Sequence, residues 1–349
     1  MRIAVIGSGF AGLATTWYLL QHTQSSVKVD LFDAVQIGSG VSGLASGLLY
    51  PYAGRHAHLC WQGPQGMTKT HELLTVASKG INHSVITSQG ILRPATTEEQ
   101  LEDFQKTAKS HPDTQWWDEE KCKQVPGLVV KEGGLYLKEG LTLDVKDYLQ
   151  GLWLSCALMG AQFHQTKVIP ENLLKTFDLI IFALGYSIKS LPIFASLPIQ
   201  LLKGHMLKIK WPVATPSLPL GLVSTGYLVM SKDHTYCLAG STYEREFTSI
   251  EADPAWATPI ILEKVTPFFP SIAQGEVLNC YAGVRVATTH NKHLPLIGRI
   301  SDKYWFFTGL GSKGLLYHAW LGELLAQAAL TNDPTLIPRE IWYPIKLPV

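Results

Sequence analysis

Gly7-x-Gly9-x-x-Gly12 stands between a short β-branched run, Arg2 to Ile6, and a stretch in which Leu13, Trp17 and Leu20 recur at helical spacing. Val27 to Phe32 then alternates like a second strand and ends on Asp33. Strand, glycine turn, helix and strand within about thirty residues are the βαβ unit that opens a doubly wound parallel sheet. In such a unit Gly7 permits the tight turn, Gly9 lets the backbone approach a pyrophosphate, and Gly12 lets helix and strand pack closely. Phe10 and Ala11 open the helix, whose N-terminal N–H groups and positive dipole attract phosphate. Asp33 is placed to accept hydrogen bonds from a ribose diol. The unit predicts a bound dinucleotide.

The motif begins beside Met1 and has no second copy later in the chain. This favours FAD held by one βαβ unit, with the rest of the site built from later segments. Met1 to Leu20 mimics a signal peptide, one Arg before an apolar run, but the three glycines interrupt it and belong to the turn. Nothing approaches the roughly 18 consecutive apolar residues of a membrane span, so a soluble, cytoplasmic protein is expected. The net charge of +1 encodes no bulk attraction to nucleic acid or anionic membrane. Five cysteines are scattered without a C-x-x-C, which argues against a disulfide framework, a zinc ribbon and a dithiol centre and predicts buried thiols.

Along the 349 residues, enough for about two domains, Thr97 to Lys109 reads as a charged surface helix. Gly133 to Leu137 and Leu141 bracket a turn, and Asp144 caps a helix from Val145 to Met159. Phe177 to Ala183 reads as a buried parallel strand. From Leu201 to Tyr243 the pattern becomes antiparallel sheet, with turns expected at Lys203-Gly204 and Lys232-Asp233. Tyr304 to Thr308, a glycine cluster and a helix from Leu315 to Leu330 return the chain to the first sheet. The fold class is α/β plus antiparallel β: a Rossmann-type domain from residues 1–79, 141–199 and 281–349, and a mainly antiparallel substrate domain from 80–140 and 200–280.

Read together, the later segments resemble the D-amino acid oxidase/glycine oxidase superfamily of FAD amine oxidoreductases. Gly43-Leu44-Ala45-Ser46-Gly47 is similar to that family's small-residue loop, in which a Ser contacts the flavin pyrophosphate. The run from Asp178 to Ala183 and Gly185 resembles its second FAD-contacting strand, and Val168 stands where the family offers backbone atoms to adenine. Lys203-Gly204-His205 resembles the strand entering the substrate sheet. Gly283-Val284-Arg285 and Pro295 to Gly298 resemble the G-x-R…P-x-I-G segment. Gly309, Gly311, Ser312, Lys313 and Gly314 resemble the loop that wraps the reactive ring. Leu48 to Pro51 and Gly309 to Leu315 carry a finer likeness, to the FAD domain of bifunctional enzymes that make 5-methylaminomethyl-2-thiouridine in bacterial tRNA. The present length leaves no room for the methyltransferase domain of those enzymes.

The resemblance implies oxidation of an amine R–NH–CH2–COO−, giving an amine and glyoxylate. Arg285 would grip the carboxylate as a fork-shaped cation, and Tyr227 or Tyr243 would add a hydroxyl; core, edge or surface positions are the ordinary fate of such residues. Arg55, His56, His58, His290 and His293 flank these segments and are candidates to reach substrate. The second carboxylate-binding Arg of glycine oxidases falls near Ser312-Lys313 here, a departure that weakens free glycine as the substrate. R is then either a small amino-acid group or a modified uridine in tRNA, for which Lys203, Lys208 and Lys210 would form a local basic patch. A flavoprotein with an assembly or binding role is the reading from another class.

Overall fold

A computed structural model describes residues 1–24, 26–168, 176–289 and 294–345. Arg2–Ile6 is the central strand of a six-stranded sheet, flanked in parallel by Lys28–Asp33 and Leu179–Phe182. Gln162–Gln165 extends the sheet on one side, and Tyr304–Thr308 with antiparallel Leu296–Ser301 on the other. Alternation along these strands loads both faces. Ile3, Val5, Val29, Leu31 and Ile181 join a core with the helices Phe10–His22, Gly63–Ile81, Val145–Leu158 and Gly314–Thr331. Ala4, Ile6, Phe32, Ile180 and Phe182 pack on the other side with Phe194 and Phe306.

The second sheet has nine strands in the order Val277–Thr288, Ile199–Lys210, Tyr236–Gly240, Tyr227–Met230, Gly221–Val223, Ile86–Pro94, Gly133–Leu143 and Leu48–Leu49, with Thr114–Asp118 beside Gly133–Leu143. Its pairs are antiparallel except Gly221–Val223 with Ile86–Pro94. Helix Pro254–Val265 covers one apolar cluster of this sheet, and Phe104 of helix Glu98–Ser110 enters another. Asp144 and Thr97 cap their helices as their sequence positions suggest, accepting from Asp147 N and Gln100 N.

Two expected turns are strand instead. Lys203-Gly204 lies inside Ile199–Lys210, because an antiparallel register with Val277–Thr288 that holds from Ile199 to Lys208 carries the chain straight through. Gly133–Leu143 is likewise one strand, and the irregularity lies in a register shift opposite Gln89 and Ile91. Among the described residues no helix is long and apolar enough to cross a membrane. All five cysteines are buried and free.

Candidate active site

A cavity of about 600 Å3 runs between the two sheets, within the range of sites for organic ligands. Its floor at one end is the first glycine turn. Gly7 has φ +111°, and a Cβ there would overlap the Ala183 carbonyl; a Cβ on Gly12 would overlap the carbonyl of Gly7. Only glycine fits either position. Gly9 N-caps helix Phe10–His22 without a side-chain acceptor, so the helix end presents bare backbone. Ser42 Oγ accepts from Phe10 N at 3.1 Å, and a Cβ on Gly9 would come within 2.7 Å of it. Asp33 is held by Ser8, whose N and Oγ each donate to Oδ2 at 2.8 Å, while Oδ1 accepts from Val35 N at 3.2 Å.

Gly7, Gly9, Phe10, Ala11 and Asp33 line this cavity, with Ala45, Ser46, Ala183 and Gly185. Gly309, Gly311, Ser312, Lys313 and Gly314 complete its far wall from the C-terminal loop. Gly309 and Gly311 adopt φ +77° and +54°, left-handed backbone that brings this loop against the cavity. Two expected contacts are absent from the lining: Gly12, whose work is helix packing, and Val168, which packs beside the cluster of Phe32 and Phe177.

The larger sheet supplies the cavity's other wall. Arg285, on Val277–Thr288, lies half-buried there, and no carboxylate stands within ion-pair distance of it among the described residues. Burial pulls its ordinary value down, opposed by the neighbouring Tyr227 and Tyr243 phenols, yet a guanidinium stays charged. Burial pushes Tyr227 up to about 12, against the Arg285 charge and the Ser46 hydroxyl, so this phenol keeps its proton as a donor. Tyr243 does not line the cavity; its exposed ring lies outside, with Cζ of Arg285 at 5.8 Å from its centroid.

Residues the sequence reading passed over complete the wall. His205 is fully buried; its Nε2 accepts from Asp253 N at 3.1 Å, which places the proton on Nδ1, facing Thr242 Oγ1 and Glu244 Oε1 at 3.0 Å each. Burial lowers its ordinary value, ahead of the opposing pull of Glu244. Tyr50 lines the cavity and sits 5.9 Å from the guanidinium of buried Arg93. Arg93 donates to the carbonyls of Tyr52 at 2.6 Å and Gly54 at 2.5 Å, holding the loop behind Tyr50. An arginine inside Ile91-Leu92-Arg93-Pro94 was the available signal.

Arg55, His56 and His58 stand outside the lining. Arg55 faces Glu99 at 3.8 Å, His56 Nδ1 faces Asp103 Oδ2 at 2.6 Å, and His58 stacks on His56. His290 and His293 lie outside the described residues. The expected lysine patch does not form. Lys203 has the opposite strand parity to Lys208 and Lys210 and is buried, Lys208 covers the Tyr236 ring, and Lys210 faces Glu276 at 3.7 Å.

A family model, DAO, described as FAD dependent oxidoreductase, matches residues 2–328. The tRNA 5-methylaminomethyl-2-thiouridine biosynthesis bifunctional proteins MnmC of Methylobacillus flagellatus and Pseudomonas fluorescens are each 23% identical over 97% of this chain. The chain spans 58% of the length of each. Among solved structures, glycine oxidase from Geobacillus kaustophilus is similar with TM-score 0.79 and 19% identity over 95% of both chains. Iminodiacetate oxidase from Chelativorans sp. BNC1 is similar with TM-score 0.82 and 16% identity over 100% of both. These likenesses carry the fold.

Proposed function

Because this chain belongs to the DAO family of FAD-dependent oxidoreductases, we propose that its cavity oxidises the C–N bond of an amine R–NH–CH2–COO−, with a modified uridine of tRNA as R. The carrying observation is Arg285, a half-buried cation in the cavity wall with no acid partner among the described residues. A desolvated guanidinium without an anion is costly, and a carboxylate from outside supplies the missing partner in bidentate geometry.

The donor set fits FAD. Gly7, Gly9, Phe10 and Ala11 would face the pyrophosphate and Asp33 the ribose, with the backbone of Val168, beyond the cavity lining, toward the adenine. Ala45, Ser46, Ala183, Gly185, Gly309, Gly311, Ser312, Lys313 and Gly314 would enclose the remainder. When bound, FAD supplies a two-electron acceptor for the C–H bond beside the substrate nitrogen. The protein's own residues then have two tasks. Arg285 and the protonated Tyr227 fix the carboxylate, and with it the reacting carbon. Tyr50, Met206 and Tyr281 wall the cavity against water. No side-chain nucleophile is required.

The proposed division of labour is 1–79, 141–199 and 281–349 mainly around the cofactor and 80–140 and 200–280 around the substrate, with Tyr50, Tyr281 and Arg285 of the first set reaching the substrate as well. A nucleoside R is supported by the likeness to the MnmC proteins along nearly the whole chain. The test is anaerobic bleaching of the bound flavin by sarcosine, glycine, D-proline and carboxymethylaminomethyl-uridine tRNA offered separately. The tRNA should bleach it; rapid bleaching by a free amino acid with the tRNA inert would leave a small-molecule amine oxidase.

A further inference from the structure

Tyr243 is 53% exposed although it touches the site: the Arg285 guanidinium inside the cavity lies 5.8 Å from its ring centroid, and Arg245 outside lies at 5.9 Å. Its backbone is not a loose loop. Glu244 exchanges both hydrogen bonds with Lys203, at 3.0 and 2.9 Å, and Thr242 N donates to His205 O at 3.3 Å. The backbone that carries the ring is therefore fixed to the strand Ile199–Lys210, while more than half of the residue meets water. Trp256, 41% exposed, packs similarly on cavity-lining His205, with centroids 5.5 Å apart. Arg245 is exposed and forms no ion pair among the described residues.

We propose that Tyr243, with Arg245 beside it, is a stacking platform for a planar nucleobase in the R group of the substrate. The proposal rests on the reading that this cavity oxidises R–NH–CH2–COO−. In carboxymethylaminomethyl-uridine a CH2–NH–CH2 bridge joins the carboxylate to the base. Such a molecule spans a short distance between an anion and a flat ring, and Arg285 and Tyr243 offer a cation and a flat ring 5.8 Å apart. Stacking on an aromatic ring with a guanidinium nearby is how single-stranded bases are held. A ring carried on a fixed backbone needs less ordering on binding than one on a loose loop. Tyr243 then sets which R is accepted, while Arg285 serves every R alike.

The test compares wild type, Tyr243→Phe and Tyr243→Ser, all loaded with FAD, on sarcosine, the free modified nucleoside and tRNA carrying it. The first readout is kcat/KM, and the second is affinity for the nucleoside by calorimetry. Tyr243→Ser should lower the nucleoside-to-sarcosine ratio of kcat/KM roughly ten- to a hundredfold and weaken nucleoside binding in parallel. Tyr243→Phe should keep both, and the losses on nucleoside and tRNA should match. Equal losses on sarcosine and nucleoside, or a Tyr243→Phe as impaired as Tyr243→Ser, would assign the ring another task and overturn the proposal. A loss on tRNA that spares the nucleoside would do the same. If wild type oxidises sarcosine but neither uridine substrate, the substrate reading itself fails and the platform with it.

Discussion

Gly204 and Arg285 occupy one space: a Cβ on Gly204 would stand 2.6 Å from Nη2 of Arg285. The two belong to paired strands, Gly204 opposite Gly283 and Leu202 opposite Arg285. The guanidinium thus runs across the sheet over a residue with no side chain. Replacing Gly204 by Ala should displace the guanidinium while leaving the FAD site intact. Flavin content should match wild type and kcat/KM should fall, though less than in Arg285→Met. That variant should cost about 2–5 kcal/mol in kcat/KM, from loss of a charge-assisted pair in a closed site. An Arg285→Met enzyme as fast as wild type on the true substrate would remove the carboxylate anchor.

Cofactor retention separates two of the motif glycines. Gly9→Leu puts a side chain where the helix end faces the cavity, within reach of Ser42. It should give a folded, colourless protein. Gly12→Val drives a side chain into the Gly7 carbonyl and should lower Tm as well as flavin content. None of the five buried cysteines lines the cavity, so acid should release FAD intact from wild type. Absorbance of the supernatant after precipitation reads this directly.

Arg93 should matter for stability before activity. Its guanidinium is 3% exposed and serves the carbonyls of Tyr52 and Gly54. Arg93→Met removes both donors; the exposed Gly54 carbonyl still accepts from Ala57 N, but the buried Tyr52 carbonyl loses this partner, at a cost of about 1–3 kcal/mol. Urea unfolding measures it, and a midpoint equal to wild type would show that the loop is held by something else.

His318 gives the fold a pH limit. Its Nε2 accepts from Tyr148 OH, its Nδ1 lies against the carbonyls of Gly314 and Leu315, and burial pulls it down to about 4. The unfolded chain takes up a proton on this imidazole near its ordinary 6.5, and the folded chain does not until about 4. Stability contributed here is complete above the unfolded value and is lost as pH falls through that window. The loss is at most about 3 kcal/mol and levels off below pH 4. In His318→Gln, unfolding free energies between pH 7 and 4.5 should show a shallower acid slope than wild type. Parallel slopes would contradict the assignment.

The cofactor half was legible because its signals are local. A β-branched run, three glycines at fixed spacing and a carboxylate at a strand end each constrain the backbone within a few residues. Tyr227–Met230 and Tyr304–Thr308 were legible for the same reason, as apolar runs bounded by turn residues. Helix Gly63–Ile81 was not. It begins Gly-Pro-Gln-Gly, behind a left-handed Gln62 that makes no cap, and Gly66 is there to let the Leu316 backbone of another helix approach. Lys203-Gly204 misled similarly: the glycine answers to Arg285, far along the chain, and not to a turn. Ser42, His205 and Tyr50 stood inside or beside motifs already singled out, yet their roles depend on partners brought together by the fold.

The order of strands has a consequence for how the protein is made. Arg2–Ile6 is synthesised before the other strands of its sheet, but one of its two neighbours, Leu179–Phe182, comes much later, and that strand's outer partner, Tyr304–Thr308, later still. The loop from Gly309 to Gly314 that closes the cavity follows all of them. An early βαβ unit therefore waits through much of translation with both sheet edges open, one for Gln162–Gln165 and one for Leu179–Phe182, a state exposed to mispairing. Capture of FAD therefore waits for this loop, and nascent chains halted before Thr308 should emerge without cofactor.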